Sequence, residues 1–126
     1  PLIFTSWRTD VDIICAGLDI IALTSLNEGT PVSLIEAQAA NKPIVSTRVG
    51  GISDIVLENE TALLSDTNDV ASFQKNLLRL VENDELRNGF NQKGADHVQQ
   101  KFSVERLAND MSDLYYELLD KAKFKR

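Results

Sequence analysis

A chain of 126 residues with 43% hydrophobic and 25% charged residues suits one soluble globular domain with a real core, and is neither disordered nor fibrous. Its formal charge of -6 argues against general nucleic-acid binding, which needs a basic face, and no apolar run approaches the roughly 20 residues that span a bilayer. One cysteine forbids an internal disulfide and points to a reducing, cytoplasmic setting; with one histidine it also argues against a dedicated zinc site.

Leu2 to Thr5 reads as a first strand. Thr9 with Asp12 resembles a capping box, and Val11, Ile14, Cys15 and Leu18 form a helical stripe that Gly17 can stop. Cys15 on that stripe reads as core. Trp7 follows a strand end and is expected to pack. Asp19 to Thr24 is a compact, mostly apolar run of the kind found in buried parallel strands. After a polar loop, Thr30 is a candidate cap with Pro31 at the first helical position, and the helix runs to about Asn41. Pro43 to Thr47 predicts the next strand, Gly50-Gly51 a tight turn, Ile52 to Val56 a short helix and Ala62 to Leu64 a brief strand.

The second half is helical. Asn68 can cap a helix with the stripe Val70, Phe73, Leu77, Leu80 and Val81. Asn83 can cap another with Leu86, Phe90, Val98 and Phe102 inward, where Gly89 and Gly94 allow close packing. His97, beside that stripe, reads as a surface or boundary residue. Ser103 starts the last helix, with Val104, Leu107, Met111, Leu114, Tyr115 and Leu118 at helical spacing. Lys121, Lys123, Lys125 and Arg126 close the chain as cations near the negative pole of the helix dipole. A lipid contact is the second reading of this cluster. No signal peptide and no initiator Met are present, so the chain reads as a piece of something longer. Strands alternating with helices predict an α/β, Rossmann-like parallel sheet with helices on both faces, whose ligands bind at the carboxyl ends of the strands.

That rule points to the loops after Thr24 and Thr47. The first reads Ser25-Leu-Asn-Glu28-Gly29-Thr30-Pro31-Val32-Ser33-Leu34-Ile35-Glu36: a carboxylate, a glycine, a helix start and a second carboxylate. A helix N-terminus offers unpaired N–H groups and positive potential to an anion such as phosphate. Gly29 lets a ligand approach the backbone. Glu28 and Glu36 beside such a site suit paired sugar hydroxyls, because carboxylates accept hydrogen bonds well. On spacing alone, two ordinary helix-flanking acids remain the simpler reading.

The stretch Asn27-Glu-Gly-Thr-Pro-Val-Ser-Leu-Ile-Glu-Ala37 resembles the Glu-x7-Glu motif of group 1 retaining, nucleotide-sugar-dependent glycosyltransferases of the GT-B fold. The likeness extends to Ser6-Trp7-Arg8-Thr9-Asp10-Val11, Ala16-Gly17-Leu18-Asp19-Ile20, Asn41-Lys42-Pro43-Ile44-Val45, Thr47-Arg48-Val49-Gly50-Gly51-Ile52 and Glu60-Thr61-Ala62-Leu63-Leu64. It implies that residues 1–126 are a partial nucleotide-sugar-binding domain. By that resemblance Glu28 contacts the transferred sugar and is the catalytic candidate, while Glu36 contacts the ribose hydroxyls. Gly29, Thr30, Pro31, Val32, Ser33 and Leu34 hold the diphosphate and sugar between them. Pro31 contributes only its carbonyl, since it has no N–H. Gly50 and Gly51 border the cleft or simply make a turn that needs positive φ. The resemblance implies no metal and no cofactor beyond the nucleotide-diphosphate sugar, and retention by same-face attack without a protein nucleophile.

By the same resemblance the chain lacks the first two strands of the donor domain, a basic pair that neutralises the diphosphate, and the N-terminal acceptor-binding domain of the parent. Arg8 and Arg48 are expected to be surface charges rather than replacements for that pair. The isolated chain is therefore expected to be inactive. Leu2–Thr5 either pairs directly with Asp19–Thr24 or leaves open sheet edges that invite self-association. Peripheral membrane contact of the parent is a further expected partner, and nucleic acid is not.

Other readings stay open. A glycoside hydrolase would place Glu28 and Glu36 about 5–5.5 Å or 6.5–9.5 Å apart across a bond. A sugar epimerase could use the same fold, and a non-catalytic Rossmann-like scaffold needs no chemistry at all. A response regulator needs an acidic cluster at its first strand end, which Leu2 to Ser6 does not supply.

Overall fold

The structure is a computed structural model that describes residues 2–90 and 92–123. Lys125 and Arg126 of the expected basic end lie outside the described residues. Elements follow in the order α1 (Val11–Gly17), β1 (Ile21–Leu23), α2 (Val32–Ala39), β2 (Ile44–Thr47), α3 (Ile52–Ile55), β3 (Ala62–Ser65), α4 (Val70–Glu82), α5 (Asp84–Phe90), α6 (Gly94–Phe102) and α7 (Val104–Lys123).

The three strands form one parallel sheet in the order β1-β2-β3, with Ile21 opposite Ile44 and Ile44 opposite Ala62. Alternation along the strands sorts their side chains to two faces. Ile44, Ala62 and Leu64 join Leu34 and Ala37 of α2, Ile52 and Ile55 of α3, and Phe102 of α6 on one face. Val45 and Leu63 join Phe73, Leu77 and Leu80 of α4 and Phe90 of α5 on the other. Helices thus cover both faces, as the alternation of elements predicted. Strands β2 and β3 are wholly buried, which explains their unbroken apolar or small character.

A polar knot sits inside the first layer. Gln38 is fully buried, and its amide nitrogen donates to the Leu34 carbonyl at 3.2 Å and the Ile55 carbonyl at 2.9 Å. Its amide oxygen accepts from the Thr61 hydroxyl at 2.9 Å, and that hydroxyl accepts from the Leu57 N–H at 3.0 Å. These bonds tie α2 to the chain on either side of the α3–β3 connection. Gly94 lets α6 close on α2, because a Cβ there would lie 2.6 Å from the Gln38 carbonyl oxygen. His97 is half-buried at the same junction, 3.2 Å from the Ile55 carbonyl and edge-on to Phe102.

Several local expectations differ from the structure. Leu2–Thr5 is not a strand: no described segment offers it a ladder, and Leu2, Ile3 and Phe4 are exposed. It does not pair with β1, which is an edge strand of only three residues. Trp7 is 90% exposed, not packed. The Thr9–Asp12 box does not form; α1 begins after Asp10 with no side-chain cap, and Arg8 holds the Asp10 carboxylate instead. Thr30 does not cap α2. Pro31, with φ -70° and ψ 105°, is the extended residue before it, so the helix starts one position late. Asp69, not Asn68, caps α4 by accepting from the Ser72 N–H at 2.9 Å, while Asn68 takes φ 69° in the preceding turn. The single helix expected from Asn83 to Phe102 is two, α5 and α6, with Gly94 opening the second. Gly89 has nothing within 4 Å of a built Cβ and so serves no close approach. The stripe of α7 is largely open: Val104, Leu107, Met111, Leu114, Tyr115 and Leu118 are all exposed.

Candidate functional site

Parallel pairing brings the carboxyl ends of β1 and β2 side by side, so the loops that leave them meet. Residues 24–31 leave β1 and residues 48–51 leave β2. Gly50 has φ 52°, a conformation that glycine takes without strain, and a Cβ there would stand 1.7 Å from the Glu28 carbonyl oxygen. A Cβ on Gly51 would stand 2.6 Å from the Gly29 carbonyl oxygen, which accepts the Gly51 N–H at 2.9 Å. The turn with positive φ expected of this pair is present at Gly50, whereas Gly51 takes φ -81°. The pair turns tightly and lies directly against the backbone of Glu28 and Gly29.

Beyond that contact the loop enters α2. The Leu34 N–H donates to the Pro31 carbonyl at 3.1 Å, and Leu34 itself is fully buried. Among the described residues, no acceptor meets the N–H of Val32 or Ser33, as expected for the first N–H groups of a helix. Both residues are exposed, whereas Pro31 is buried. The available donors at this tip thus narrow from Val32, Ser33 and Leu34 to Val32 and Ser33.

The two acids flank the tip differently. Glu28 precedes the helix and is half-buried against the glycine turn. Glu36 is the fifth residue of α2, about 6 Å along the axis from Val32, and is exposed. It lines a groove of about 330 Å³ between α1 and α2 with Val11, Asp12 and Cys15. Burial pushes the Cys15 thiol up, and the Glu36 carboxylate adds to the effect. A second cavity of about 190 Å³ opens at the carboxyl ends of the strands, lined by Thr24, Leu26, Thr47, Asp66, Val70 and Phe73. A larger cavity of about 460 Å³ lies beside the turn that enters β3 at its amino end, between Glu60 and α5, whereas the two loops leave the carboxyl ends of β1 and β2.

Arg8, which precedes α1, and Arg48, which follows β2, are both bound to carboxylates. Arg8 donates from Nε to Asp10 at 2.7 Å, and that bond holds the Asp10 carboxyl below its usual range. Arg48 donates to Glu58 at 2.8 and 2.5 Å and lies 3.5 Å from Asp66. These pairs match the expectation of surface charges. Among the described residues no group of three or more His, Cys, Asp or Glu could hold a metal ion, and no helix is long and apolar enough to cross a membrane.

Sequence reasoning missed two parts of this region. Thr47 donates its hydroxyl to the Ser25 carbonyl at 2.5 Å, and Gln38 anchors α2 from within. A threonine ending a strand and a glutamine inside a helix carry no pattern that marks them; only the crossover geometry shows their use.

Comparison with known proteins bears on the same residues. The model of the glycosyl transferases group 1 family matches residues 2–97. The D-inositol 3-phosphate glycosyltransferase of Corynebacterium efficiens is 40% identical over 99 residues, which cover 79% of this chain and 23% of that protein. Sucrose-phosphate synthase of Thermosynechococcus elongatus superposes with a TM-score of 0.78 at 25% identity, over 86% of this chain and 27% of that one. Anabaena HepE, solved in complex with UDP, superposes with a TM-score of 0.81 at 19% identity over 87% of this chain and 30% of that one, a likeness of fold. The chain spans about a quarter of the length of the curated relatives it matches. With three-quarters of its length inside the family's model, and with the two loops meeting where parallel α/β sheets place ligands, the chain belongs to the group 1 glycosyltransferases.

Proposed function

We propose that this chain supplies part of the donor site of an enzyme that transfers a sugar from a nucleotide-diphosphate sugar with retention of configuration. The observation that carries the reading is the tip of α2. Two N–H groups without an acceptor among the described residues, those of Val32 and Ser33 at the start of α2, lie along the chain between Glu28 and Glu36, and Gly50 and Gly51 lie against the backbone of Glu28 and Gly29. The diphosphate sits on that tip, the transferred sugar lies toward Glu28, Gly29 and Thr30, and the ribose hydroxyls lie toward Glu36.

Charge explains how such a site works. Breaking the sugar–phosphate bond places negative charge on the leaving diphosphate. Donors already aimed there gain strength as the charge grows, so they favour the transition state over the ground state. Same-face attack, assisted by the departing phosphate, accounts for retention without a covalent sugar–protein bond. Glu28 orients the sugar and is not assigned as a nucleophile. The reading calls for no cofactor beyond the donor itself.

Arg8 and Arg48 are committed to Asp10 and Glu58, so neither offers a spare charge to the diphosphate. The 126-residue chain is accordingly expected to bind donor weakly and to turn none over. Titration with UDP-glucose, ADP-glucose and GDP-mannose, followed by amide NMR, tests the reading. At least one donor shifts the Val32 and Ser33 amides, and Glu36→Ala weakens that donor by about tenfold or more, the worth of hydrogen bonds to a charged acceptor. Equal binding by both proteins removes Glu36 from the site, and measurable sugar release by the chain alone contradicts its inactivity.

A further inference from the structure

We infer that Thr47 is a positioning residue for Glu28, acting through the carbonyl of Ser25. The inference rests on the donor-site reading above and assigns a residue to that site which makes no contact with the acids themselves.

The backbone ladder between β1 and β2 ends at the pair Leu23–Ser46. Beyond it the chain of β1 leaves the sheet and no backbone bond of the ladder holds residues 24 and 25. Thr47, the last residue of β2, is buried, and its hydroxyl donates to the Ser25 carbonyl at 2.5 Å. The side chain therefore continues the cross-strand connection past the point where the backbone stops making it. Four residues further along each chain, the Gly51 N–H donates to the Gly29 carbonyl at 2.9 Å. The segment 47–51 thus grips the segment 25–29 at both ends, with Glu28 inside the span and its carbonyl seated on Gly50.

The two grips differ in kind. The glycine grip is steric and backbone-made, so side-chain chemistry cannot tune it. The Thr47 grip is one hydroxyl, and removing it frees only the entry of the loop. Leu26 and Asn27, between Ser25 and Glu28, are exposed and offer little packing to restrain the loop once its entry is free. Glu28 would then meet the donor sugar from a broader set of positions, while Glu36, carried by the α2 helix, would not move.

Thr47→Val keeps the shape and removes the donor; Thr47→Ser keeps the donor. Backbone 15N order parameters of the free chain are the first readout. Those of Leu26, Asn27 and Glu28 should fall by about 0.1 or more in Thr47→Val, with Thr47→Ser near the wild type and Val45 and Leu63 unchanged in all three. The second readout is the affinity ratio of UDP-glucose to UDP. It falls in Thr47→Val and recovers in Thr47→Ser, while UDP itself binds all three alike. Unchanged order parameters over 26–28 in Thr47→Val overturn the inference, whether or not a nucleotide binds. Failure of the donor-site reading has a different signature: UDP binding that ignores Glu36→Ala, which overturns the role in donor binding even if the mobility result holds.

Discussion

Around β2 the chain is sealed. Leu34, Ile44, Val45, Ile52 and Leu80 are fully buried, and the buried polar side chains Gln38 and Thr61 bond one another. At its two ends the same chain leaves large apolar side chains in the open: Phe4 and Trp7 are 88% and 90% exposed, and the α7 stripe from Val104 to Leu119 is 41% to 76% exposed. Both regions carry large apolar side chains, so the presence of such residues alone does not separate them. Partners do. β2 has a strand on each side and helices above and below, whereas α7 touches chiefly α6 and residues 2–7 have no ladder to join. The candidate site belongs to the sealed region, and its geometry is set by packing that the ends do not supply.

The largest test of that contrast is a cavity in the sealed layer. Leu34→Ala should cost about 2–5 kcal/mol, the range for truncating a fully buried leucine, read from urea unfolding. Gly50→Ala should cost about 2–4 kcal/mol, combining positive-φ strain with the clash on the Glu28 carbonyl, and should shift the amides of Glu28 and Gly29 most. Gln38→Leu should cost about 1–3 kcal/mol, because the Ile55 carbonyl and the Thr61 hydroxyl lose their partner without water to replace it.

Acid should act on the surface rather than on the core. Hydrogen bonds from Arg48 hold the Glu58 carboxyl below its usual range, and bonds from Ser72 do the same for Asp69. A carboxyl depressed in the folded state adds stability above its unfolded pKa of about 4 and loses it as pH falls through the folded value. Stability should therefore be flat near neutrality and decline below about pH 4. Glu58→Gln should reduce the decline, and a steep loss between pH 6 and 8 would be at odds with these groups. At the small end, Leu114→Ser on the open face of α7 should change stability by about 0.5 kcal/mol or less. A loss of several kcal/mol would mean that α7 is packed against something and would end the contrast.

The sequence made legible what depends on local pattern. Pro43 to Thr47 announced a strand, and β2 is one; Asp19 to Thr24 announced a buried parallel strand, but β1 is a three-residue edge strand that is only half-buried, because among the described residues no further strand covers its outer side. Asn83 and Ser103 announced helix starts, and both accept from an N–H three residues on. The order of glycines, proline and acids around Glu28 located the loop at a strand end. Legibility failed where distant partners decide. Leu2–Phe4 has strand composition but no neighbour to pair with. Thr30 has the side chain of a cap, but Pro31 takes the extended position before the helix and displaces it. The hydroxyl of Thr47 reaches a carbonyl 22 residues away, a relation that no short-range spacing encodes.

The central claim is that the tip of α2 receives the donor diphosphate between two acids, and a crystal structure of this chain soaked with a UDP-sugar or its GDP and ADP counterparts tests it most directly. The account predicts phosphate oxygens within hydrogen-bond reach of the Val32 and Ser33 N–H groups, a ribose hydroxyl on Glu36, and the sugar beside Glu28. A diphosphate bound instead in the cavity beside Glu60 and Lys93, with the α2 tip left to solvent, would contradict it.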